Sequence, residues 1–395
     1  MTEILGLLNQ DSPSKRIENL KKLIGEEKEA PKILPEYANN HIHTSYSFSP
    51  YSPTAAVYFA RAAGLQTAGI MDHDSIGGAY EFIKAGEIAG LATTIGLECR
   101  VSLKGTPLEG RRINNPDQIS CAYMALHGVP HTQIEYLQSV FEPLRKKRNE
   151  RNIAMLGNIN KIFGLHGLEL SFDRDVLPIS NYANGGTVTE RHLLFALAKK
   201  LEGKLGKYKI APFLQKELGL SLSDKQIKLL NDENNLYFLY DLLGILKAHL
   251  VESFYIDADE ELLHISQLAD LAKKTGAIFC YAYLGDVGDS VTGDKKTQKF
   301  EDDYLDLLLD VLQAQGVKSI TYMPSRNTAA QLERLQSLCR QRGLIEISGE
   351  DINSPRQSFI CPQLALEQFS HLIEATWQLI EHEKNETQRQ LNAIN

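Results

Sequence analysis

Thr67-Ala68-Gly69-Ile70-Met71-Asp72-His73-Asp74 is a short apolar run that stops in two carboxylates and an imidazole. An apolar run of this length, closed by polar residues, reads as a buried strand. Six more runs share the pattern. One ends in Asn40-His41-Ile42-His43, and another covers 93–97 and ends at Glu98 or continues past it. The next runs from 119 to 126 and ends in His127-Gly128, and a fifth covers 277–281 and ends near Tyr283. The last two are 319–322, leading to Pro324-Ser325-Arg326-Asn327, and 344–347, leading to Gly349-Glu350-Asp351-Ile352-Asn353. Helical stretches at 55–63, 79–89, 305–315 and 329–341 follow four of these runs, and another at 260–274 precedes the fifth. Strand and helix in alternation predict βα units, and the whole pattern an α/β fold: a seven-stranded (βα)7 barrel of distorted TIM type.

The rhythm breaks between about 140 and 250. That stretch opens on the charge run Arg145-Lys146-Lys147-Arg148-Asn149-Glu150-Arg151, read as a solvated helix face. It continues as helical segments rich in apolar residues such as Leu193, Leu197, Phe213 and Phe238. A disordered loop would not carry so many, so this is a helical insertion. The expected organisation is a helical lead at 1–35, barrel at 36–139, insertion at 140–250, barrel again at 251–362 and a C-terminal helix at 363–395.

Composition narrows the function classes. The chain has 395 residues, 43% hydrophobic and 23% charged, with net charge −8. An acidic balance argues against a protein that coats nucleic acid. No apolar run approaches the roughly 20 residues that cross a bilayer, and the opening MTEILGLLNQDSPSKR lacks the basic start and apolar stretch of a secretory signal. The five cysteines are far apart, with no Cys-x-x-Cys pair. Reduced, buried thiols in a cytoplasmic protein are the expectation.

In βα barrels the chemistry sits at the C-terminal ends of the strands. Here those ends carry His41 and His43, Asp72 and His73, Glu98, His127, Tyr283, Arg326, and Asp351 with Asn353. Residues i and i+2 of a strand point to the same side, so His41 and His43 can reach one ion. Imidazole and carboxylate together suit manganese, zinc or iron. A carboxylate such as Glu98 can bridge two ions, and metal-activated water is then the nucleophile at neutral pH.

Several of these pieces resemble the PHP (polymerase and histidinol phosphatase) family: Asn40-His41-Ile42-His43-Thr44, Gly69-Ile70-Met71-Asp72-His73-Asp74-Ser75 with Gly77-Gly78, Gly96-Leu97-Glu98, and Ser348-Gly349-Glu350-Asp351. The resemblance covers roughly 37–130 and 255–360. It implies a distorted seven-stranded barrel with one to three divalent ions, metal ligands at His41, His43, His73, Glu98 and Asp351, and a supporting aspartate at Asp72. His127 is the candidate for the fourth-strand ligand, and Asn353 a further candidate ligand through its carbonyl oxygen. The resemblance further implies a catalytic role for Asp72, His73 and Glu98. One branch of the family, of nucleotide bisphosphate phosphatases and exonucleases on short RNA, carries a helical insertion, and residues 189–197 look like its Arg-x-His helix. His192 then either packs or caps in that insertion, or contacts substrate.

The sequence also departs from the family. Where the fifth strand usually ends in Ala-His-Pro, it reads Tyr281-Ala282-Tyr283, and the closing Asp-x-His is Asp351-Ile352-Asn353. His41, His43, Glu98 and Asp351 remain as the complete ligand set of one ion. Arg326 and Arg356 lie in the substituted loops, and a guanidinium fork there suits phosphate. Tyr283 is a further candidate substrate contact. The expected activity is hydrolysis of a small phosphate ester, a nucleotide or short oligonucleotide included. The alternatives are a PHP-like domain that binds a ligand or serves as a structural module, or a different metal-dependent hydrolase. Oligomeric state stays open.

Overall fold

A computed structural model describes residues 2–287 and 298–394. Eight strands form one sheet: β1 (Ala38–Ile42), β2 (Thr67–His73), β3 (Ala92–Ser102), β4 (Cys121–His127), β5 (Leu263–His264), β6 (Ile278–Ala282), β7 (Ser319–Tyr322) and β8 (Ile345–Ser348). Their order is β1-β2-β3-β4-β6-β7-β8, with the two-residue β5 paired to the far end of β3. The sheet curls until a parallel bridge joins Ile42 to Ile352. There the His43 N–H donates to the Ile352 carbonyl (3.0 Å), and the Ile352 N–H to the His41 carbonyl (3.2 Å). The result is the expected α/β architecture, a nearly closed barrel of seven strands.

The short β5 falls inside the helix expected at 260–274, which begins at Ile265, and one of the seven expected strands departs in its direction. β4 runs antiparallel to both neighbours. An apolar run carries no sign of its direction. Here β3 is eleven residues long and continues past Glu98 to Ser102, and β4 folds back along that extension, pairing Arg100 with Tyr123 and Glu98 with Ala125. Its C-terminal end therefore points away from the mouth. His127 pairs with Ile278, the first residue of β6, beneath the level of Glu98.

The descent of β4 sets the path of the next segment. The chain leaves the barrel at its floor, and the 30-residue helix Ile134–Phe163 climbs back past the mouth, a rise of about 45 Å. Just before this helix, the His131 N–H donates to Thr387 Oγ1 (2.9 Å) and Gln133 Nε2 to Gln390 Oε1 (2.7 Å), both on the C-terminal helix Ser370–Ile394. Halfway up, Arg145 and Arg148 reach Asp74, just beyond β2. Only one side of the charge run is therefore a solvated face, that of Lys146, Lys147 and Glu150. Arg145, Arg148 and Arg151 are buried, at 4%, 3% and 8% exposure. Their spacing of three puts them on one side of the helix, where Asp74, Glu190 and Glu261 meet them. The boundary expected at 140 falls inside this continuous helix.

Helices Glu190–Leu205, Lys207–Lys216, Asp224–Asn231 and Phe238–Phe254 come next in the chain. They build a second apolar core with Leu193, Leu197, Leu242 and Leu246 at its centre, and the barrel loop supplies Phe48 to it. The C-terminal helix closes the barrel floor, where Leu379 packs with Met71, Ala125, Cys280 and Ile347. All five cysteines are buried and free. Among the described residues no helix is long and apolar enough to cross a membrane.

Candidate metal centre

The parallel register of β2 and β3 places His73 directly beside Glu98, and their side chains meet, His73 Nδ1 to Glu98 Oε2 at 3.1 Å. From β1, His41 Nε2 lies 3.8 Å from the same oxygen. His43 Nε2 lies 3.1 Å from Asp351 Oδ1, which arrives on the loop after β8. That loop can come so close because residue 349 is glycine: a Cβ there would stand 2.5 Å from His41 Cβ. The ring centroids of His41 and His43 are 5.0 Å apart, and those of His43 and His73 4.6 Å. Ligand atoms of His41, His43 and Glu98 all lie within 4.8 Å of one another.

The hydrogen bonds around this cluster test whether it fits a cation. Asp72 faces away from it. Its carboxylate accepts from the Thr44 N–H (2.7 Å), Thr44 Oγ1 (2.6 Å) and Ser47 Oγ (2.6 Å). Ser47 spends its proton on Asp72, so at 3.3 Å it accepts from His43 Nδ1. This network places a proton on His43 Nδ1, so the neutral ring presents a bare Nε2. A bare nitrogen and a carboxylate oxygen at 3.1 Å are two acceptors facing each other. A cation between them resolves the clash, and the mixed nitrogen and oxygen donors suit a divalent transition metal. Burial alone would push the Glu98 carboxyl up, but His41 and then His73 hold it below the usual carboxylate range. The donor set fits a divalent ion held by His41, His43, Glu98 and Asp351, with His73 beside the same Glu98 oxygen that His41 approaches.

The other candidates fall on either side of this centre. His127 lies under it and outside the close group, because its strand descends. Burial, and then His41, push its imidazole down to about 3, and among the described residues its Nε2 has no hydrogen-bond partner. Tyr123 is the β4 residue that faces the mouth, its ring 5.7 Å from that of His73. Asn353 lines the cleft and donates to Asp351 Oδ1 (2.6 Å), so its amide orients that carboxylate. Tyr283 lines the cleft as well, but its hydroxyl donates to Asp302 Oδ1 at 2.5 Å. Burial and then Asp302 raise its pKa, so it stays a neutral phenol.

His192 does not reach the cleft. Its Nδ1 accepts from the Thr189 N–H (3.0 Å) at the start of its helix, and its ring packs edge-on to Phe48. Arg356 is engaged elsewhere. It grips Asp241 through Nε (2.6 Å) and Nη2 (2.7 Å) and covers the Tyr237 ring, tying the loop after β8 to the insertion. Its fork fits a carboxylate as well as a phosphate, and Asp241 supplies one. Arg326 lies in the turn after β7, from which the cleft takes Tyr322 and Met323 instead.

The cleft over the centre encloses about 830 Å³ out to solvent. Its lining includes His41, His73, Glu98 and Asp351 from the barrel and Glu190, Arg191 and Lys247 from the helical insertion. Neither cation was expected as a site residue. Arg191 neighbours His192 in a stretch already marked. Lys247 had a fainter signal, a lone lysine inside the apolar helix Phe238–Phe254. It is 9% exposed, and a charge buried that far needs a reason.

Comparison with known proteins adds to the geometry. The model of the PHP domain family matches residues 39–318. A protein from Bifidobacterium adolescentis, assigned as a metal-dependent phosphoesterase, superimposes with a TM-score of 0.55 at 19% identity, covering 87% of this chain and 96% of its own. An amidohydrolase from Chromobacterium violaceum, solved with bound sulfate and no metal, gives 0.54 at 16% identity, covering 86% and 96%. At such identities the likeness is one of fold. No curated protein matches the chain.

Proposed function

We propose that this chain, which belongs to the PHP domain family, is a metal-dependent hydrolase acting on a small phosphate ester. One observation carries the reading: a single cleft is lined by His41, Glu98 and Asp351 of the barrel and by Arg191 and Lys247 of the insertion. An anion in this cleft meets the two insertion cations and, once the barrel residues hold it, the ion. A divalent ion there supplies a Lewis acid for phosphoryl oxygens and lowers the pKa of water.

The chain's own residues do the remaining work. The Arg191 fork and the Lys247 ammonium bind and orient the phosphate. The Asp72–Ser47–His43 chain keeps His43 Nε2 aimed at the centre. Pro116, Leu284 and Met323 offer an apolar flank to the rest of the substrate and keep water from that side. Two cations beside an apolar flank suit a small phosphate ester such as a nucleotide or sugar phosphate, and the net charge of −8 disfavours long nucleic acid. Sulfate, bound by the Chromobacterium violaceum neighbour, has the shape of phosphate and is in keeping with this reading.

The test is turnover of p-nitrophenyl phosphate and of nucleoside monophosphates with Zn²⁺, Mn²⁺ or Fe²⁺. Turnover should vanish with a chelator, and Arg191→Ala should raise KM about tenfold with little change in kcat. A second reading has its own observation. Tyr283 and Asn353 stand where the family implies histidines, and both are engaged with carboxylates. One tightly held ion with no turnover across the panel would favour a ligand-binding domain.

A further inference from the structure

The structure assigns to Arg148 a positioning role: it holds the strand end that carries His73 and the helix that carries Arg191 in one fixed relation. The inference rests on the reading of the cleft as a metal and phosphate site. Arg148 does not line that cleft. It is 3% exposed, on the long helix behind it. Its Nη1 pairs with Asp74 Oδ2 at 2.5 Å and its Nη2 with Glu190 Oε2 at 3.2 Å.

Both partners adjoin the site. Asp74 follows His73 and has a left-handed backbone, φ +50°, a conformation that Asp tolerates better than most residues with a Cβ and that its surroundings hold here. Three contacts hold it. Its N–H donates to the Glu98 carbonyl (2.8 Å), its carbonyl accepts from Arg145 (3.0 Å), and its carboxylate accepts from Arg148. Glu190 precedes Arg191 and lines the cleft itself. Asp74 and Glu190 are buried carboxylates, at 8% and 7% exposure, and the guanidinium between them joins one to the other. A lysine cannot, because its point charge lacks the planar fork that reaches two carboxylates in different directions.

One turn further on, the same helix repeats the device. Arg151 holds Glu261 (2.8 Å), which also takes Arg100 (2.6 Å), two residues beyond Glu98 on β3. The long helix thus braces both strands that carry the His73–Glu98 pair.

The test separates positioning from mere stability by comparison with another buried pair. Arg16–Glu81, at 5% exposure on each side chain, joins the helices Pro13–Gly25 and Ala79–Ala89 on the flank of the barrel. Full-length wild type, Arg148→Met, Arg148→Lys and Arg16→Met are compared by melting temperature, by Zn²⁺ affinity against a chromophoric chelator, and by calorimetric binding of inorganic phosphate to the Zn²⁺-loaded protein. Both Arg148 variants should weaken Zn²⁺ and phosphate binding by about tenfold. Arg16→Met should lower the melting temperature and leave both affinities within about twofold. If Arg148→Met does not fold, Arg148→Lys decides. Folded Arg148 variants with wild-type affinities overturn the inference. A wild type that binds neither Zn²⁺ nor phosphate overturns the reading beneath it as well.

Discussion

The barrel is polar at both ends, and the two ends are built on opposite principles. At the floor, Glu383 of the C-terminal helix is buried at 2% exposure. It accepts from Thr94 Oγ1 (2.7 Å), the Ile95 N–H (2.8 Å) and His131 Nε2 (2.8 Å). Every acceptor there has its donor, and the cluster is complete as it stands. At the mouth, a bare His43 nitrogen faces Asp351, and the oxygens of Glu98 stand among imidazoles. Two carboxylates and three imidazoles converge there, every one of them a possible metal ligand. A polar cluster that satisfies itself holds a fold together; one that collects acceptors is waiting for a cation.

Substitutions at the two ends can break this contrast. The largest effect belongs to the mouth: His43→Ala should lower metal-dependent turnover at least about a thousandfold and release the ion into a modest chelator, with the melting temperature of the metal-free protein little changed. Substitution at the floor should do the reverse. Glu383→Ala leaves Thr94, Ile95 and His131 without their acceptor and should cost about 3 kcal/mol in urea unfolding, with Zn²⁺ affinity within about twofold of wild type. A matching loss of Zn²⁺ affinity would erase the distinction.

A smaller effect sharpens it. His192 is a self-satisfied imidazole whose pKa burial, and then Arg148, push down to about 3. The unfolded chain therefore takes this proton first as pH falls, and stability is lost from pH 6.5 downward toward 3. Between pH 8 and pH 5 that amounts to about 2 kcal/mol. His192→Asn should flatten the dependence by that much when unfolding is followed at both values, and an unchanged slope would count against a neutral, buried ring.

How far the sequence can be read depends on where each interaction lives. His41, His43, His73, Glu98 and Asp351 were legible because strand alternation and side-chain chemistry are local, and the ends of parallel strands meet at one place. The direction of β4 is not local, so Tyr123 and not His127 faces the mouth. Arg145, Arg148 and Arg151 looked like a solvated run because their partners, Asp74, Glu190 and Glu261, lie up to 110 residues away in the chain. Arg356 looked available for phosphate for the same reason, since Asp241 is 115 residues from it. Arg191 and Lys247 reach the cleft from helices that only tertiary packing aims at it.

The helix that climbs from floor to mouth has one more consequence. Ile134, Leu137 and Phe141 near its start belong to the barrel core, and Met155, Leu156, Ile159 and Phe163 near its end belong to the core of the insertion. The two cores are thus two stretches of one rod. Melting either would fray a helix on which the other depends, and would expose the arginines that brace the strands between them. Barrel and insertion should lose structure as a single cooperative unit, in one calorimetric transition, although each has an apolar core of its own.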